Sequence, residues 1–152
     1  MCLIGGVYMA YIIKKTTDLT STEMIQIFQE RIKVFVVEQN CPYQEVDELD
    51  YEAVHIILKD EENFIAYTRV IEEKDCVRLG RILVNQNFRR NNYGRQIIDR
   101  AINYVTNHST KEIVKISAQA RLVSFYETFG FKSISEVYLE DEIPHIDMVL
   151  KL

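Results

Sequence analysis

An arginine-rich turn is the segment of this sequence whose residue types suggest chemistry most directly. Between Arg78 and Arg95 there are five arginines and no acidic residue, although the whole chain carries a net charge of −5. A strand pattern over residues 77–84 leads into a helical pattern that begins at Tyr93, so the turn opens a helix. A helix start presents unpaired backbone N–H groups and the positive end of the helix dipole. Such a turn could hold a pyrophosphate group, and a capped helix with solvated arginines explains the same pattern equally well.

The composition of this turn separates it from better-known phosphate loops. It lacks the Gly-Lys-Ser/Thr ending of a Walker loop and the GxGxxG pattern of dinucleotide-binding folds. Asn91, Asn92 and Gly94 make its backbone permissive. An interaction protein whose arginine patch contacts nucleic-acid phosphates is an alternative, but the net charge of −5 disfavours it, so we expect no nucleic-acid partner.

An acidic tract and several titratable side chains are candidates for binding a cation or moving a proton. Residues 38–52 contain six carboxylates and no basic residue. Carboxylates without a counter-charge would attract a cationic ligand by electrostatic steering, whereas a solvated loop is the simpler alternative. Tyr126 lies beside Phe125 and Phe129, where aromatic side chains more often belong to a core. His55 and His145 are as consistent with structural roles as with accepting a proton.

The elements that must position these residues alternate between strands and helices. A capping-box pattern from Thr20 to Glu23 predicts a helix that fades near Gln39. Residues 93–105 predict a second helix, and residues 121–129 a short one closed by glycine. The predicted strands are 11–15, 53–58, 64–71, 77–84, 112–118, 131–139 and 145–150, with a loop at 140–144. This order predicts a mixed α/β fold around one sheet, in which the strands from 53 to 84 form an antiparallel meander.

Length and composition fit one globular domain. The chain has 152 residues, of which 47% are hydrophobic and 27% charged, as expected for a single core. Three widely spaced cysteines suggest reduced thiols, no metal site and a cytoplasmic location. No apolar run approaches the roughly 18 residues of a membrane helix, so no membrane partner is expected. Residues 1–8 are interpreted as a disordered leader before a domain over residues 9–152.

The arginine-rich turn resembles the acyl-CoA-binding motif of the GNAT N-acetyltransferase superfamily. That motif is Arg/Gln-x-x-Gly-x-Gly/Ala at a strand-to-helix turn, and Arg89, Asn92 and Gly94 fall on its three defined positions. Asn92 departs from the usual glycine, but asparagine is the non-glycine residue best able to adopt a left-handed backbone. The loop can therefore keep its conformation with Asn92.

Two further segments are similar to the same superfamily. Residues 119–131 resemble its Asn-x-x-Ala-x-x-x-Tyr-x-x-x-Gly-Phe segment, with Tyr126 on the tyrosine. Residues 31–50 and 143–148 resemble the ElaA-like subgroup. Together the similar segments span nearly the whole chain, so the resemblance implies a GNAT-like, mostly antiparallel sheet with splayed strands at the cofactor site.

The resemblance also implies the reaction, which is direct transfer of an acetyl group from acetyl-CoA, as co-substrate, to a primary amine in a ternary complex. Tyr126 would be the general acid, because a phenol with a reference pKa of about 10 is closely matched to a thiol. Pantetheine would pair with the strand near residue 83 like an added strand, where a backbone N–H could polarise the thioester carbonyl. The implied cofactor-binding residues are Ile82, Leu83, Val84, Arg89, Arg90, Asn91, Asn92, Tyr93, Gly94, Arg95 and Gln119.

The acceptor side is less specific. In several GNAT proteins the segment after the first helix borders the acceptor cleft, so the acidic tract could select a cation such as a polyamine, an aminosugar or a lysine side chain. The substrate candidates are Glu45, Asp47, Asp50 and His145. The general base is left open among Glu38, Glu45, Asp47, Asp50, His55 and His145.

A non-catalytic CoA-binding sensor or interaction module is the alternative function. Asn92 and Gln119, which replace the family's usual glycine and asparagine, leave room for it. An exposed edge strand near the C-terminus would also allow a homodimer.

Overall fold

One mixed sheet forms the middle layer of the protein, and helices cover both of its faces. The structure, a computed structural model, describes residues 2–4 and 7–152, with side chains from residue 8 onward. The strands in chain order are β1 (Cys2–Ile4), β2 (Val7–Lys15), β3 (Val54–Lys59), β4 (Phe64–Glu72), β5 (Val77–Val84), β6 (Ile113–Gln119), β7 (Lys132–Ser133), β8 (Tyr138–Glu140) and β9 (Ile143–Lys151). Their order in the sheet is β1-β2-β3-β4-β5-β6-β9-β7, and β8 also pairs with β9.

The pairing confirms the predicted fold class. Strands β3 to β5 form the predicted antiparallel meander, and β2 pairs antiparallel with β3. Strands β5 and β6 are parallel, and they pair only at Val77↔Val114 and Arg78↔Lys115. Beyond these two pairs both strands continue without a common ladder, so the sheet splays between them. The remaining neighbours of β6 and β9 are antiparallel.

The helices are amphipathic, and each covers one face of the sheet. They are α1 (Ser21–Ile32), α2 (Tyr93–His108) and α3 (Val123–Glu127). The apolar stripe of α2, including Ile97 and Ala101, packs against Val77 and Leu79 of β5 in the larger core. On the other face Ile27 of α1 packs with a smaller set of residues from β3, β4 and β5. Within the described residues, no helix is both long enough and apolar enough to cross a membrane.

Local signals set several helix ends as predicted, although α2 runs to His108, three residues beyond its predicted end. Thr20 and Glu23 form the reciprocal capping box at the start of α1, which satisfies two otherwise unpaired N–H groups. After α1 the chain makes a π-helical turn over Lys33–Glu38, so the helical path ends close to the predicted Gln39. The short helix after β6 begins with a 3₁₀ turn at Ala120–Leu122, and Gly130 closes it in a left-handed conformation with φ 98°.

The predicted strand over residues 131–139 is wrong in its middle. Strands β7 and β8 are separate, and Ser135 lies in the break between them, where its Oγ accepts a hydrogen bond of 2.9 Å from the N–H of Asp147. A side chain thus replaces a backbone acceptor and ends the β7 ladder. Strand β9 begins at Ile143, inside the predicted 140–144 loop, because Asp141 and Glu142 both have positive φ and complete a tight two-residue hairpin.

The start of the chain also differs from its prediction. Strand β1 and the first residues of β2 pair in the register Cys2↔Met9 to Ile4↔Val7, where the sequence was interpreted as a disordered leader over residues 1–8. The paired residues satisfy their backbone groups against one another. Residues 1, 5 and 6 lie outside the described part of the chain.

Candidate active site

The splay between β5 and β6 opens a cavity of about 840 Å³. Past Arg78 the strand β5 keeps β4 on one side but has a free edge on the other. Residues of β5, β6 and β9 and of the loop after the π-helical turn form the cavity wall. The lining residues used below are Cys41, Asp47, Arg78, Gly80, Arg81, Ile82, Ser117, Gln119, Tyr126, Tyr138, Glu140, Asp141, His145 and Asp147.

A β-bulge shapes the β5 side of the cavity. Arg69 pairs with Gly80 and Tyr67 pairs with Leu83, so one residue of β4, Thr68, faces two residues of β5. Arg81, in the bulge, has φ 52°. The Thr68 hydroxyl donates to the Gly80 carbonyl at 3.0 Å. Such a bulge bends a strand and redirects its groups, so the free edge of β5 curves along the cavity.

The three predicted pantetheine-pairing residues lie on this curved stretch but face different environments. Ile82 lines the cavity. Leu83 is 3% exposed and packs in the α1-side core. Val84 contacts the start of α2, where a side chain at Gly94 would lie 3.7 Å from its Cγ2. The stretch therefore joins the cavity to the arginine-rich turn.

The arginine-rich turn has the predicted left-handed residue at Asn92. Asn92 has φ 68° and immediately precedes α2, so an asparagine supplies the backbone conformation that glycine usually provides. Arg90 has φ 67° as well. In the described residues no side chain caps the start of α2, which leaves the N–H groups of its first turn available to a ligand.

Two arginines of the turn already have partners. Arg89 donates through Nε to the Val84 carbonyl at 3.0 Å and through Nη2 to Glu38 at 2.7 Å. The guanidinium of Arg95 lies 4.3 Å from the centroid of the Phe129 ring. The ion pair between Arg89 and Glu38 is partly exposed, and exposed pairs contribute little, so a phosphate could take the place of Glu38.

Tyr126 reaches the cavity from α3. The residue is 6% exposed, and within the described part of the chain its hydroxyl has no hydrogen-bond partner. Its ring contacts Phe125 and Phe131 at centroid distances of 5.4 and 6.0 Å. Burial raises the pKa of Tyr126 to about 12, and Arg121 opposes the shift. The phenol is therefore less closely matched to a thiol than the sequence suggested, and it stays protonated as a hydrogen-bond donor.

The acidic tract is paired with arginines from distant elements, so the expectation of carboxylates without a counter-charge is wrong. Arg31 is fully buried and binds Glu45 and Asp50, each at 2.6 Å. Arg69 binds Asp47 at 2.8 Å. Arg81 binds Glu45 at 2.9 Å. These pairs compensate the charges of Glu45, Asp47 and Asp50 and fix that part of the tract against the sheet. Of these three substrate candidates, only Asp47 lines the cavity.

The arginines also set the protonation of these acids. Burial favours the neutral form of Asp50, but hydrogen bonds from Arg31 lower its pKa to about 2. Burial also favours the neutral form of Asp47, but hydrogen bonds from Arg69 outweigh it and lower the pKa of Asp47 below its ordinary value. Both carboxylates therefore stay charged and are poor proton acceptors.

His55 lies away from the cavity in a buried hydrogen-bonded row. Its Nε2 is 2.7 Å from the Thr16 hydroxyl and its Nδ1 is 2.6 Å from the Tyr67 hydroxyl. The side chain is completely buried, and burial lowers the pKa of His55 to about 4. Among the base candidates, only Asp47 and His145 line the cavity.

Comparison with known proteins identifies the family of this arrangement. A family model for the acetyltransferase (GNAT) domain matches residues 19–152.

The chain belongs to the GNAT acetyltransferase family.

Its relatives in the GNAT family cover nearly the whole chain. The protein ElaA of Escherichia coli is 36% identical over 137 residues, which make up 87% of this chain and 90% of ElaA. The crystal structure of that ElaA superposes with a TM-score of 0.88 over 92% of this chain and 98% of its own. A Pseudomonas aeruginosa structure described as an acyl-CoA N-acyltransferase has 36% identity and a TM-score of 0.86, covering 93% of this chain and 99% of that one.

These GNAT relatives confirm the resemblance and support an acyltransferase with an acyl-CoA co-substrate. The ElaA-like subgroup is the one indicated by residues 31–50 and 143–148. The splay, the turn before α2 and the cavity at Tyr126 are the parts of this GNAT domain through which the co-substrate would act.

Sequence reasoning missed a polar row on the β9 side of the GNAT cavity. Asp147 accepts hydrogen bonds from Tyr138 at 2.6 Å and from Ser117 at 3.1 Å, and Ser117 also accepts one from Arg78 at 3.2 Å. Burial acts to raise the pKa of Asp147, but the hydrogen bond from Tyr138 outweighs it, so the pKa of Asp147 is lowered. The alternation of apolar and polar residues along β6 and β9 could have indicated this row. Ile146 and Met148 enter the core, so their neighbours in β9 must face the other side of the sheet.

Proposed function

We propose that this GNAT domain transfers an acetyl group from acetyl-CoA to a primary amine, by direct attack of the amine on the thioester within a ternary complex. The observation that carries the proposal is the splay. Strand β5 leaves β6 after Arg78, and its free edge borders the cavity that contains Tyr126. A free strand edge can pair with the amide groups of an extended ligand, and pantetheine has such groups.

The turn before α2 is suited to the other end of acetyl-CoA. Its uncapped N–H groups lie beside Arg89, Arg90 and Arg95, and two left-handed residues direct the backbone there. A helix start with arginines favours a pyrophosphate. A Cβ at Gly94 would lie 3.7 Å from Val84 Cγ2, so the turn and the free strand edge are adjacent.

In this proposal Tyr126 completes the transfer. The amine nitrogen attacks the thioester carbonyl carbon, the C–S bond breaks, and the leaving thiolate needs a proton. Because burial keeps the Tyr126 phenol protonated, it can donate that proton, and a backbone N–H of the curved β5 stretch can stabilise the carbonyl oxygen.

The first experiment separates cofactor binding from turnover. Thermal unfolding is followed with acetyl-CoA for the wild type, Arg90→Glu and the control Arg100→Glu, an exposed arginine further along α2. At one hundred times Kd the ligand should stabilise the wild type and the control by about 2.7 kcal/mol, and Arg90→Glu much less. Equal shifts in all three proteins would exclude the turn as the pyrophosphate site.

Turnover is then measured as thiol release with a panel of primary amines and with acyl-CoA esters of increasing length. Amine-dependent thiol release supports the enzyme, whereas acetyl-CoA binding without thiol release indicates the non-catalytic sensor. Direct attack also predicts that Cys41→Ala, which removes the thiol lining the cavity, keeps the wild-type rate. A Cys41 acyl-enzyme detected by mass spectrometry would contradict direct attack.

The cellular setting is part of the proposal. The free thiols of Cys41 and Cys76 support a reducing, cytoplasmic location. The amine is carried by a small molecule or a lysine side chain, and we propose no nucleic-acid or membrane partner.

A further inference from the structure

We propose that His145 is the general base that accepts the proton of the acceptor's ammonium group. The inference rests on the proposed N-acetyltransferase function. An alkyl ammonium with a pKa of about 10 is neutral in only about one molecule per thousand at pH 7. Since only the neutral amine can attack, a group in the cavity must remove a proton.

The hydrogen bonds of His145 define which ring nitrogen can act. Nδ1 lies 2.7 Å from the backbone carbonyl oxygen of Ile143. A carbonyl oxygen can only accept a hydrogen bond, so Nδ1 carries the hydrogen and Nε2 keeps the lone pair in the neutral ring. His145 is 9% exposed and lines the cavity, and among the described residues Nε2 has no hydrogen-bond partner.

Neighbouring groups hold the ring and place negative charge beside it. The ring stacks on Tyr138 at a centroid distance of 6.2 Å. Glu140 Oε2 lies 3.5 Å from Nε2, where its charge would stabilise the imidazolium after proton transfer. Asp141 of the hairpin turn and Asp147 of β9 add negative charge at the same end of the cavity. The neutral Gln119 of the neighbouring strand β6 pairs with His145, and its side chain accepts a hydrogen bond from Arg121.

Four other titratable groups of the cavity fit the role less well. Asp47 and Asp147 have lowered pKa values because of their hydrogen-bond donors, although burial opposes both shifts. Burial raises the pKa of Tyr43 and of Tyr126 to about 12, so both phenols keep their protons. His145 instead offers an Nε2 that makes no hydrogen bond within the described residues and has Glu140 beside it, on the type of side chain that acts most often as a general base.

The protons of the reaction balance with this assignment. The ammonium first gives one proton to His145 Nε2, which passes it to solvent. The nitrogen lone pair then forms the C–N bond as the C–S bond breaks. Tyr126 gives its proton to the thiolate, and the second proton, which leaves the nitrogen after attack, returns through solvent to the Tyr126 phenolate. The products are therefore the amide, free CoA thiol and one released proton, with both side chains restored.

The test uses His145→Asn, whose amide nitrogen can replace Nδ1 as a donor to Ile143 while Nε2 is lost. With an alkylamine at neutral pH, kcat/KM should fall by about 10²–10⁴-fold. In the variant the acid-side decline of the pH profile should move up to the pKa of the amine, about 10. High pH should therefore restore the rate, because the amine is then neutral in solution. The acetyl-CoA thermal shift should not change.

Two controls make the result specific. His108→Asn changes an exposed histidine whose Nδ1 also contacts a backbone carbonyl, that of Tyr104 at 3.0 Å, and it should leave kcat/KM unchanged. A weakly basic acceptor, such as a hydroxylamine, is already neutral and should be acetylated by His145→Asn at nearly the wild-type rate.

An unchanged pH profile in His145→Asn, or an equal loss with both acceptor types, would overturn the assignment of the base while leaving the transferase intact. Absence of amine-dependent thiol release in the wild type would reject the proposed function, and the base with it.

Discussion

Arg31 donates two hydrogen bonds to the carboxylate of Asp50, at 2.6 Å to Oδ1 and 3.0 Å to Oδ2, across a separation of 19 residues. Arg31 is fully buried and Asp50 is 5% exposed. The pair joins α1 to the acidic loop that closes one side of the cavity. Arg31 also binds Glu45, and Asp50 also lies 3.0 Å from Arg69. Because these charges are out of water, the loss of one of them leaves the buried network with an unbalanced charge.

Replacement of Asp50 by Asn should therefore destabilise the fold. Breaking a buried pair leaves an uncompensated charge, which costs about 3–5 kcal/mol, so urea unfolding should show a loss of that size. Glu52→Gln, an exposed change in the same tract, is the matched control. If both variants unfold at the same urea concentration, the pair is not a stabilising contact. Neutralising Asp47 and Asp50 together should accordingly lower the free energy of unfolding more clearly than it changes the acceptor KM.

The buried His55 predicts a pH dependence of stability. Burial lowers its pKa from 6.5 to about 4, with Arg31 and Arg69 acting in the same direction and Asp50 opposing them. Between these values the unfolded chain binds a proton that the native protein does not. The stabilisation is thus fully present above pH 6.5 and is lost as the pH falls towards 4, by up to about 3 kcal/mol.

Denaturant unfolding of the wild type and His55→Gln across this pH range tests that dependence. Glutamine does not titrate, so the variant should be less stable at pH 7 but should have a flatter slope. The exposed His108→Gln should keep the wild-type slope. A steep slope that persists in His55→Gln would assign the acid sensitivity to other groups.

The effect of replacing Asn92 should depend on whether the new residue can adopt a left-handed backbone. At φ 68° an alanine pays the left-handed cost of about 1–2 kcal/mol, whereas glycine does not. Asn92→Ala should therefore unfold more easily and bind acetyl-CoA more weakly than Asn92→Gly. Equal stability and equal acetyl-CoA Kd in the two variants would show that the turn does not need this conformation.

The parts of the fold that sequence could predict are those set by local patterns. The capping box at Thr20 and Glu23 formed as expected, and so did the stop at Gly130, because each depends on neighbours within a few residues. The left-handed Asn92 belongs to the same class. The periodicity of apolar residues predicted the order of these strands and helices along the chain.

The parts that could not be predicted depend on residues far apart in sequence. Asp47 was expected to lack a counter-charge, yet it binds Arg69, 22 residues away, and Arg81, 34 residues away. The available signal was Arg69 itself, an arginine inside the largely apolar strand β4, since a buried arginine requires a partner. The spacing of residues in the sequence did not identify that partner, because strand register and β-bulges decide which carboxylate lies next to Arg69.

Tyr126 should be essential for turnover but not for binding. Its ring packs on Phe125 and Phe131 through contacts that do not use the hydroxyl, so Tyr126→Phe should keep the acetyl-CoA thermal shift. Loss of the acid should lower kcat by about 10²–10⁴-fold. Because burial raises its pKa to about 12, ionisation of Tyr126 should not limit the wild-type rate at alkaline pH up to about 10. Thiol release from the wild type, Tyr126→Phe and the control Tyr104→Phe measures the effect, and a Tyr126→Phe rate equal to the control would exclude the phenol as proton donor.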